Sequence, residues 1–264
     1  MRPRDDIEIT ILGSGTSNGV PAIGCRCPTC VSDDLRDHRL RPSVLIKMHE
    51  NTFVVDTSAD FRQQMLTYGI ERIDAILFTH AHFDHIGGFD DVRQFNFISE
   101  KIIDVYGSKE TLAEIRRTFR YAFEPPLQEG GGVPQVSMHE ITEGAFSAGA
   151  CRIEAISVQH GILPIFAYRF GNCAYITDTS YIPEEAMKRL EHLDVLIFDA
   201  LRHEKHPTHF SLGEAIDAAQ RIDARKTFFT HISHSIHHER DSALLPDRMH
   251  FAYDGLVIQS GATI

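Results

Sequence analysis

No stretch of this 264-residue sequence is apolar for long enough to cross a bilayer. It also lacks long low-complexity segments and any linker that would force a domain boundary. Residues 1–264 are therefore read as a single domain, large enough to bury its own core without a staple. The opening residues Met1-Arg2-Pro3-Arg4-Asp5-Asp6 lead into a strand-like segment without an apolar signal stretch. The expectation is a cytoplasmic protein with no membrane partner. Basic charge is scarce, with 26 Lys and Arg against 37 Asp and Glu and a formal charge of −11. That balance weighs against a nucleic-acid partner, although carboxylates that ligate metals inflate the acidic count. Cysteine is both scarce and odd in number, at five. Three of the five crowd into Cys25-Arg26-Cys27-Pro28-Thr29-Cys30, which reads as metal binding before disulfide. Cys151 and Cys173 lie in strand-like runs and read as buried thiols.

Histidine is what the chain has in abundance. Most of its 16 histidines fall around 80–85, 203–209 and 231–238, a grouping that solvated side chains do not need. Apolar patterning places strands at 7–12, 43–48, 52–56, 75–79, 102–106, 151–158, 165–170, 173–177, 195–199, 226–230 and 255–259. Helices are expected from Thr57 or Ser58 to about Tyr68, after Ser108, over 183–192, and from a capping box of Ser211 and Glu214 to about Ile222. The two halves resemble each other loosely, and a two-sheet α/β core with helices outside accommodates them. Gly13-Ser14-Gly15-Thr16-Ser17-Asn18-Gly19 follows a strand but lacks the spacing of a phosphate-binding fingerprint, so it reads as a turn beside the site.

The strongest chemical signal is His80-Ala81-His82-Phe83-Asp84-His85. Side chains two apart on an extended segment share a face, so His80 and His82 can reach one metal. A turn beyond them, eased by Gly87-Gly88, can aim Asp84 and His85 at a second ion. His160, Asp178 and His231 stand where strands are expected to end, a common place for chemistry. The assignment that follows gives one ion His80, His82 and His160, and the other Asp84, His85 and His231, with Asp178 bridging. These N/O sets suit zinc, iron or manganese. Such a pair lowers the pKa of a shared water, and Asp84 lies near enough in sequence to hold that water as well as to ligate. Asp199 ends a strand and reads either as an orienting partner for a ligand histidine or as an ordinary solvated strand end.

This pattern resembles the metallo-β-lactamase superfamily over nearly the whole chain. The resemblance implies a four-layer αββα sandwich with mixed sheets and a dinuclear site on one edge, holding Zn2+ or Mn2+. Within the superfamily the chain looks like the phosphodiesterase branch, in particular the carbon–phosphorus-lyase accessory enzymes that open phosphoribosyl cyclic phosphate. There the Gly13-to-Pro21 stretch likewise leads into a cysteine cluster. The resemblance implies a structural Zn2+ on Cys25, Cys27, Cys30 and His234, a closed set with no water position. It also implies a leaving-group role for His209, in Thr208-His209-Phe210-Ser211-Leu212, and a homodimer. His203, His206, His237 and His238 are expected at the surface or the substrate rim. The chain departs from the pattern at 116–134 and 201–207, and both segments are expected to border the pocket. The reaction expected is hydrolysis of a small or cyclic phosphodiester. The alternatives are tRNA 3′-end processing, for which no basic clamping arm is evident, and thioester or lactam hydrolysis, which has no need of His209.

Overall fold

The first strand shows how the sequence builds the molecule. In β1 (Ile7–Gly13) the alternating Ile7, Ile9 and Ile11 face one core, and Leu12 faces another on the opposite side. The computed structural model describes residues 7–125 and 132–260. One seven-stranded sheet continues with β2 (Ser43–Met48), β3 (Asn51–Val55), β4 (Ala75–Leu77), β5 (Ile103–Gly107) and β6 (Val136–Glu140). The other holds β7 (Gly144–Ala148), β8 (Cys151–His160), β9 (Leu163–Phe170), β10 (Cys173–Ile176), β11 (Val195–Asp199), β12 (Lys226–Thr230) and β13 (Met249–Phe251). The chain then returns, and β14 (Val257–Gln259) pairs with β1.

The sheet orders are β14-β1-β2-β3-β4-β5-β6 and β13-β12-β11-β10-β9-β8-β7. Each sheet is mixed, with antiparallel pairing up to β3 or β10 and parallel pairing beyond it. β3, β4 and β5 thus correspond to β10, β11 and β12, which gives the loose likeness of the two halves a structural meaning.

Three cores make four layers. Inward side chains of both sheets, among them Phe53, Tyr168, Phe170 and Tyr175, fill the space between them. The outer face of the first sheet is covered by α1 (Phe61–Thr67), α2 (Phe83–Ile86), α3 (Arg93–Ser99) and α4 (Lys109–Thr118). The outer face of the second packs against α5 (Glu184–Lys188) and α6 (Leu212–Ile222), and a short α7 (His238–Ser242) follows β12. This is the αββα arrangement expected from the resemblance.

The expected caps are largely where the sequence put them. Ser108 accepts from Thr111 N at the start of α4, and Ser211 and Glu214 form a reciprocal capping box on α6. Such caps contribute about 1 kcal/mol each. The helix expected from Thr57 or Ser58 begins only at Phe61, because Thr57 and Ser58 are fully buried and Ser58 Oγ instead accepts from Asp60 N. The helix expected over 183–192 is confined to Glu184–Lys188. Part of the 116–134 segment, including Gly130 and Gly131, lies outside the described residues. Among the described residues, no helix is long and apolar enough to cross a membrane.

Candidate metal centre

The ends of the parallel strands converge on one edge. β3 delivers Asp56, β4 delivers Thr79 and His80, β10 delivers Asp178, β11 ends on Asp199 and β12 delivers His231. β8 ends on His160. Asp56, Asp178 and His231 all take left-handed backbone angles, with φ of 64°, 52° and 59°. Non-glycine residues rarely do so, and such conformations persist where the surroundings over-determine them, as at functional sites.

Three candidate ligand groups meet on this edge: two share Asp178, and a third, Asp199, His209 and His231, shares His231 with one of them. His80, His82, His160 and Asp178 have donor atoms close enough to hold one ion, and Asp84, His85, Asp178 and His231 to hold another. His80 Nε2 lies 3.0 Å from His82 Nδ1 and 3.9 Å from Asp178 Oδ2. His85 Nε2 lies 3.2 Å from Asp178 Oδ1 and 3.3 Å from Asp84 Oδ2. His231 Nε2 lies 3.2 Å from Asp178 Oδ2 and 3.7 Å from Asp84 Oδ2. The close turn after the motif requires Gly88, where a Cβ would sit 2.3 Å from Ser58 O.

Do these residues fit a metal? His85 Nε2 and His231 Nε2 are buried and make no hydrogen bond. Buried ring nitrogens left without a partner, aimed at a shared carboxylate, are groups that a divalent cation would satisfy. The electrostatics agree. Burial opposes a charge on His85, yet the carboxylates of Asp178, Asp84 and Asp56 hold its pKa well above the usual imidazole range. Burial likewise opposes a charge on His231, and Asp178, Asp84 and Asp199 outweigh it and raise the pKa. Burial also resists ionisation of Asp178, but His231 and His85 keep it far below the usual carboxylate range. The carboxylates call for positive charge here, and a bound cation would supply it in place of protons.

The outward nitrogens of His80, His85 and His160 are held by the protein. His85 Nδ1 contacts Asp56 Oδ2 at 2.7 Å, and Asp56 also accepts from Thr79 N and Thr79 Oγ1, each at 2.8 Å. His160 Nδ1 donates to Thr208 O at 2.8 Å. His80 Nδ1 meets Thr79 Oγ1 at 3.0 Å. Asp199 is fully buried, with oxygens 3.4 Å from His209 Nδ1 and 3.7 Å from His231 Nδ1. Its burial excludes the solvated strand end, and its carboxylate accepts from Thr179 N at 3.2 Å and Phe210 N at 3.3 Å. The sequence reading missed Asp56. Its signal is an internal echo, since Asp56-Thr57-Ser58 and Asp178-Thr179-Ser180 follow the corresponding strands β3 and β10.

His209 joins the cluster. Its ring lies 4.8 Å from that of His231 and 4.7 Å from that of His160, and its Nε2 is 3.9 Å from Asp178 Oδ2. His203 pairs with Asp241, and His206 flanks His209 at the rim. His238 departs from the surface expectation. It is buried, packed edge-on against Phe251 and Tyr253.

Cys25, Cys27, Cys30 and His234 form a separate group. His234 Nδ1 lies 3.4 Å from Cys25 Sγ and 3.3 Å from Cys27 Sγ. Burial pushes the Cys27 thiol up, but hydrogen bonding to His234 and to the Cys30 backbone brings it down to about 6, and burial pushes Cys30 up to about 11. Gly15 bridges to Ile232 in parallel, so the glycine loop and the segment after β12 are already paired where this group forms.

Known proteins resemble this chain. A family model described as a β-lactamase superfamily domain matches residues 51–232. An octanoyltransferase of Porphyromonas gingivalis is 37% identical over 250 residues, which covers 93% of this chain and 50% of that protein. A ribonuclease Z of Mycobacterium sp. (strain KMS) is 30% identical over 153 residues, covering 52% of this chain and 47% of the other. The chain thus spans about half the length of these two relatives. A crystal structure described as a new diphosphatase from the PhnP family is 42% identical, with a TM-score of 0.90 over 96% of this chain and 97% of that one. Zn2+-bound PqqB from Methylobacterium extorquens shares the fold at 20% identity, with a TM-score of 0.77 over 95% of this chain and 99% of that one. With its strand-end histidines and aspartates gathered on one edge of an αββα sandwich, this chain belongs to the metallo-β-lactamase superfamily and is similar to its PhnP branch.

Proposed function

We propose that the chain is a dinuclear metal-dependent hydrolase of a small or cyclic phosphodiester. The observation that carries this reading is the sharing of Asp178 between two ligand groups whose remaining members are all histidines and one aspartate. His80, His82 and His160 would hold one ion and Asp84, His85 and His231 the other, with Zn2+ or Mn2+ suited to both. Cys25, Cys27, Cys30 and His234 would hold a third, structural Zn2+, tying the N-terminal loop to the segment after β12. When bound, the paired ions supply an acidified water and offset charge on the phosphoryl oxygens.

The protein's own part is positional. Asp56 and the Thr208 carbonyl fix the ring orientations of His85 and His160 before substrate arrives, and Asp199 places its charge 3.7 Å from His231 Nδ1. Asp84 is mostly buried at the cluster and orients the attacking water. His209, with Nδ1 3.4 Å from the Asp199 carboxylate, presents its other ring nitrogen to the cluster and donates a proton to the departing alkoxide. The similarity to a PhnP-family diphosphatase supports phosphoryl chemistry. Octanoyl transfer belongs to the name of a protein twice the span of this match, so it does not carry over to this half.

His209→Ala separates this reading from thioester hydrolysis. Hydrolysis of an alkyl diester is expected to slow by on the order of 10²-fold or more, while bis(p-nitrophenyl) phosphate, whose leaving group needs no proton, loses less than about tenfold. Equal losses on both, or a wild-type preference for thioesters, would count against it.

A further inference from the structure

Next to the histidine cluster lies a cavity of about 470 Å³, with His80 and His82 in its wall. That size suits a small organic group. One side is apolar and comes from β9, including Leu163 and Phe166. Phe166 N donates to Thr79 O at 3.1 Å, which fixes this wall against the loop carrying His80. The opposite side comes from α4, where Glu110, Thr111 and Glu114 are spaced to share one helical face.

The charge of this cavity is informative. Among the described residues, no lysine or arginine lines it. Glu114 pairs at 2.6 Å with Arg117, which is itself 79% exposed, and Glu110 has no ion-pair partner among the described residues. The start of a helix ordinarily attracts anions, but Glu110 in the first turn of α4 counters that pull. A group entering here meets an aromatic and aliphatic wall on one side and hydrogen-bond acceptors on the other. A second phosphate would meet the unpaired carboxylate of Glu110 and that of Glu114, whose charge is shared with Arg117 outside the lining.

We infer that this cavity is the specificity subsite for the organic part of the substrate, and that it takes an uncharged, hydroxyl-bearing ring group of about nucleoside size while rejecting one that carries a further phosphate. The inference rests on the phosphodiesterase reading for the placement of the reacting phosphate beside His80 and His82. The ring packs on Phe166, and its hydroxyls donate to Glu110 and Glu114. Selectivity then comes from like-charge repulsion as much as from attraction. Phosphoribosyl substrates with an additional phosphate would be poor ones.

Calorimetry with Zn2+-loaded protein tests this without requiring turnover, using 3′-AMP and adenosine 3′,5′-bisphosphate. The wild type is expected to bind 3′-AMP at least about tenfold more tightly. Glu110→Gln together with Glu114→Gln is expected to narrow the ratio to within about threefold. Glu110→Gln alone, at an exposed position, should narrow it in the same direction even if the double variant folds poorly. Equal or tighter wild-type binding of the bisphosphate overturns the inference, as does a ratio that neither variant changes. A wild type that shows the preference yet cleaves no phosphodiester overturns the phosphodiesterase reading and leaves the subsite standing.

Discussion

Asp178→Ala is expected to lower kcat/KM on a phosphodiester by on the order of 10³-fold, about 4 kcal/mol of transition-state stabilisation. It is also expected to reduce metal content at both catalytic positions. The reason is geometric. One Asp178 oxygen faces His85 and the other faces His231 and His80, so a single side chain completes both ligand groups. The left-handed backbone at Asp178 places the carboxylate where an extended residue would not. Parallel metal analysis and rate measurements on purified variant and wild type check this. Unchanged metal content and unchanged rate would rule out a bridging role.

Asp56→Asn is the second substitution with a large expected effect, although Asp56 belongs to neither ligand group. The carboxylate accepts from His85 Nδ1 and from two groups of Thr79, and it is fully buried. With Nδ1 protonated, His85 Nε2 keeps a free lone pair directed toward Asp84 and Asp178. An asparagine of the same shape can turn its NH2 toward His85 Nδ1. The proton then moves to Nε2, and the ring can no longer ligate. Loss of such an orienting partner typically costs 10–100-fold in metal affinity or activity. The expected result is a drop of about that size in affinity for the ion held by Asp84, His85 and His231, with the cysteine group keeping its zinc. Metal titration of the stripped variant measures this, and wild-type affinity would remove Asp56 from the account.

These two residues also show how far the sequence can be read. The ligand motif is legible because four of its members lie within six consecutive positions, where strand alternation and one turn decide which side chains meet. Asp178 and His231 are legible as strand-end residues, and the resemblance ties them to the motif. Asp56 is not, because its role exists only once the end of β3 lies beside the end of β4. The repeated Asp-Thr-Ser after β3 and β10 is its one local trace, and it gains meaning from the matching order of the two sheets. Asp199 stands between these cases. Its position at a strand end is visible in the sequence, but its contacts with His209 and His231 depend on how β11 and β12 pair.

The fold divides in a similar way. β1, β2 and β10 to β12 carry strong β-forming apolar patterns and were expected within a residue or two. β6 reads Val-Ser-Met-His-Glu and β7 reads Gly-Ala-Phe-Ser-Ala, and neither pattern announces a strand. Both lie at sheet edges, where each pairs with only one neighbouring strand. Pairing with β5 and β8, rather than local propensity, makes them extended. The short α2 hides inside the ligand motif for the same reason, since four residues are too few for a helical period to show.

The most direct test of the central claim is to strip the protein of metal and restore Zn2+ or Mn2+ in steps, counting bound ions per chain while following hydrolysis of bis(p-nitrophenyl) phosphate. The account predicts three ions per chain at saturation, no turnover in the stripped protein, and activity that returns as the two positions sharing Asp178 fill. Full turnover by protein shown to be free of metal would contradict it.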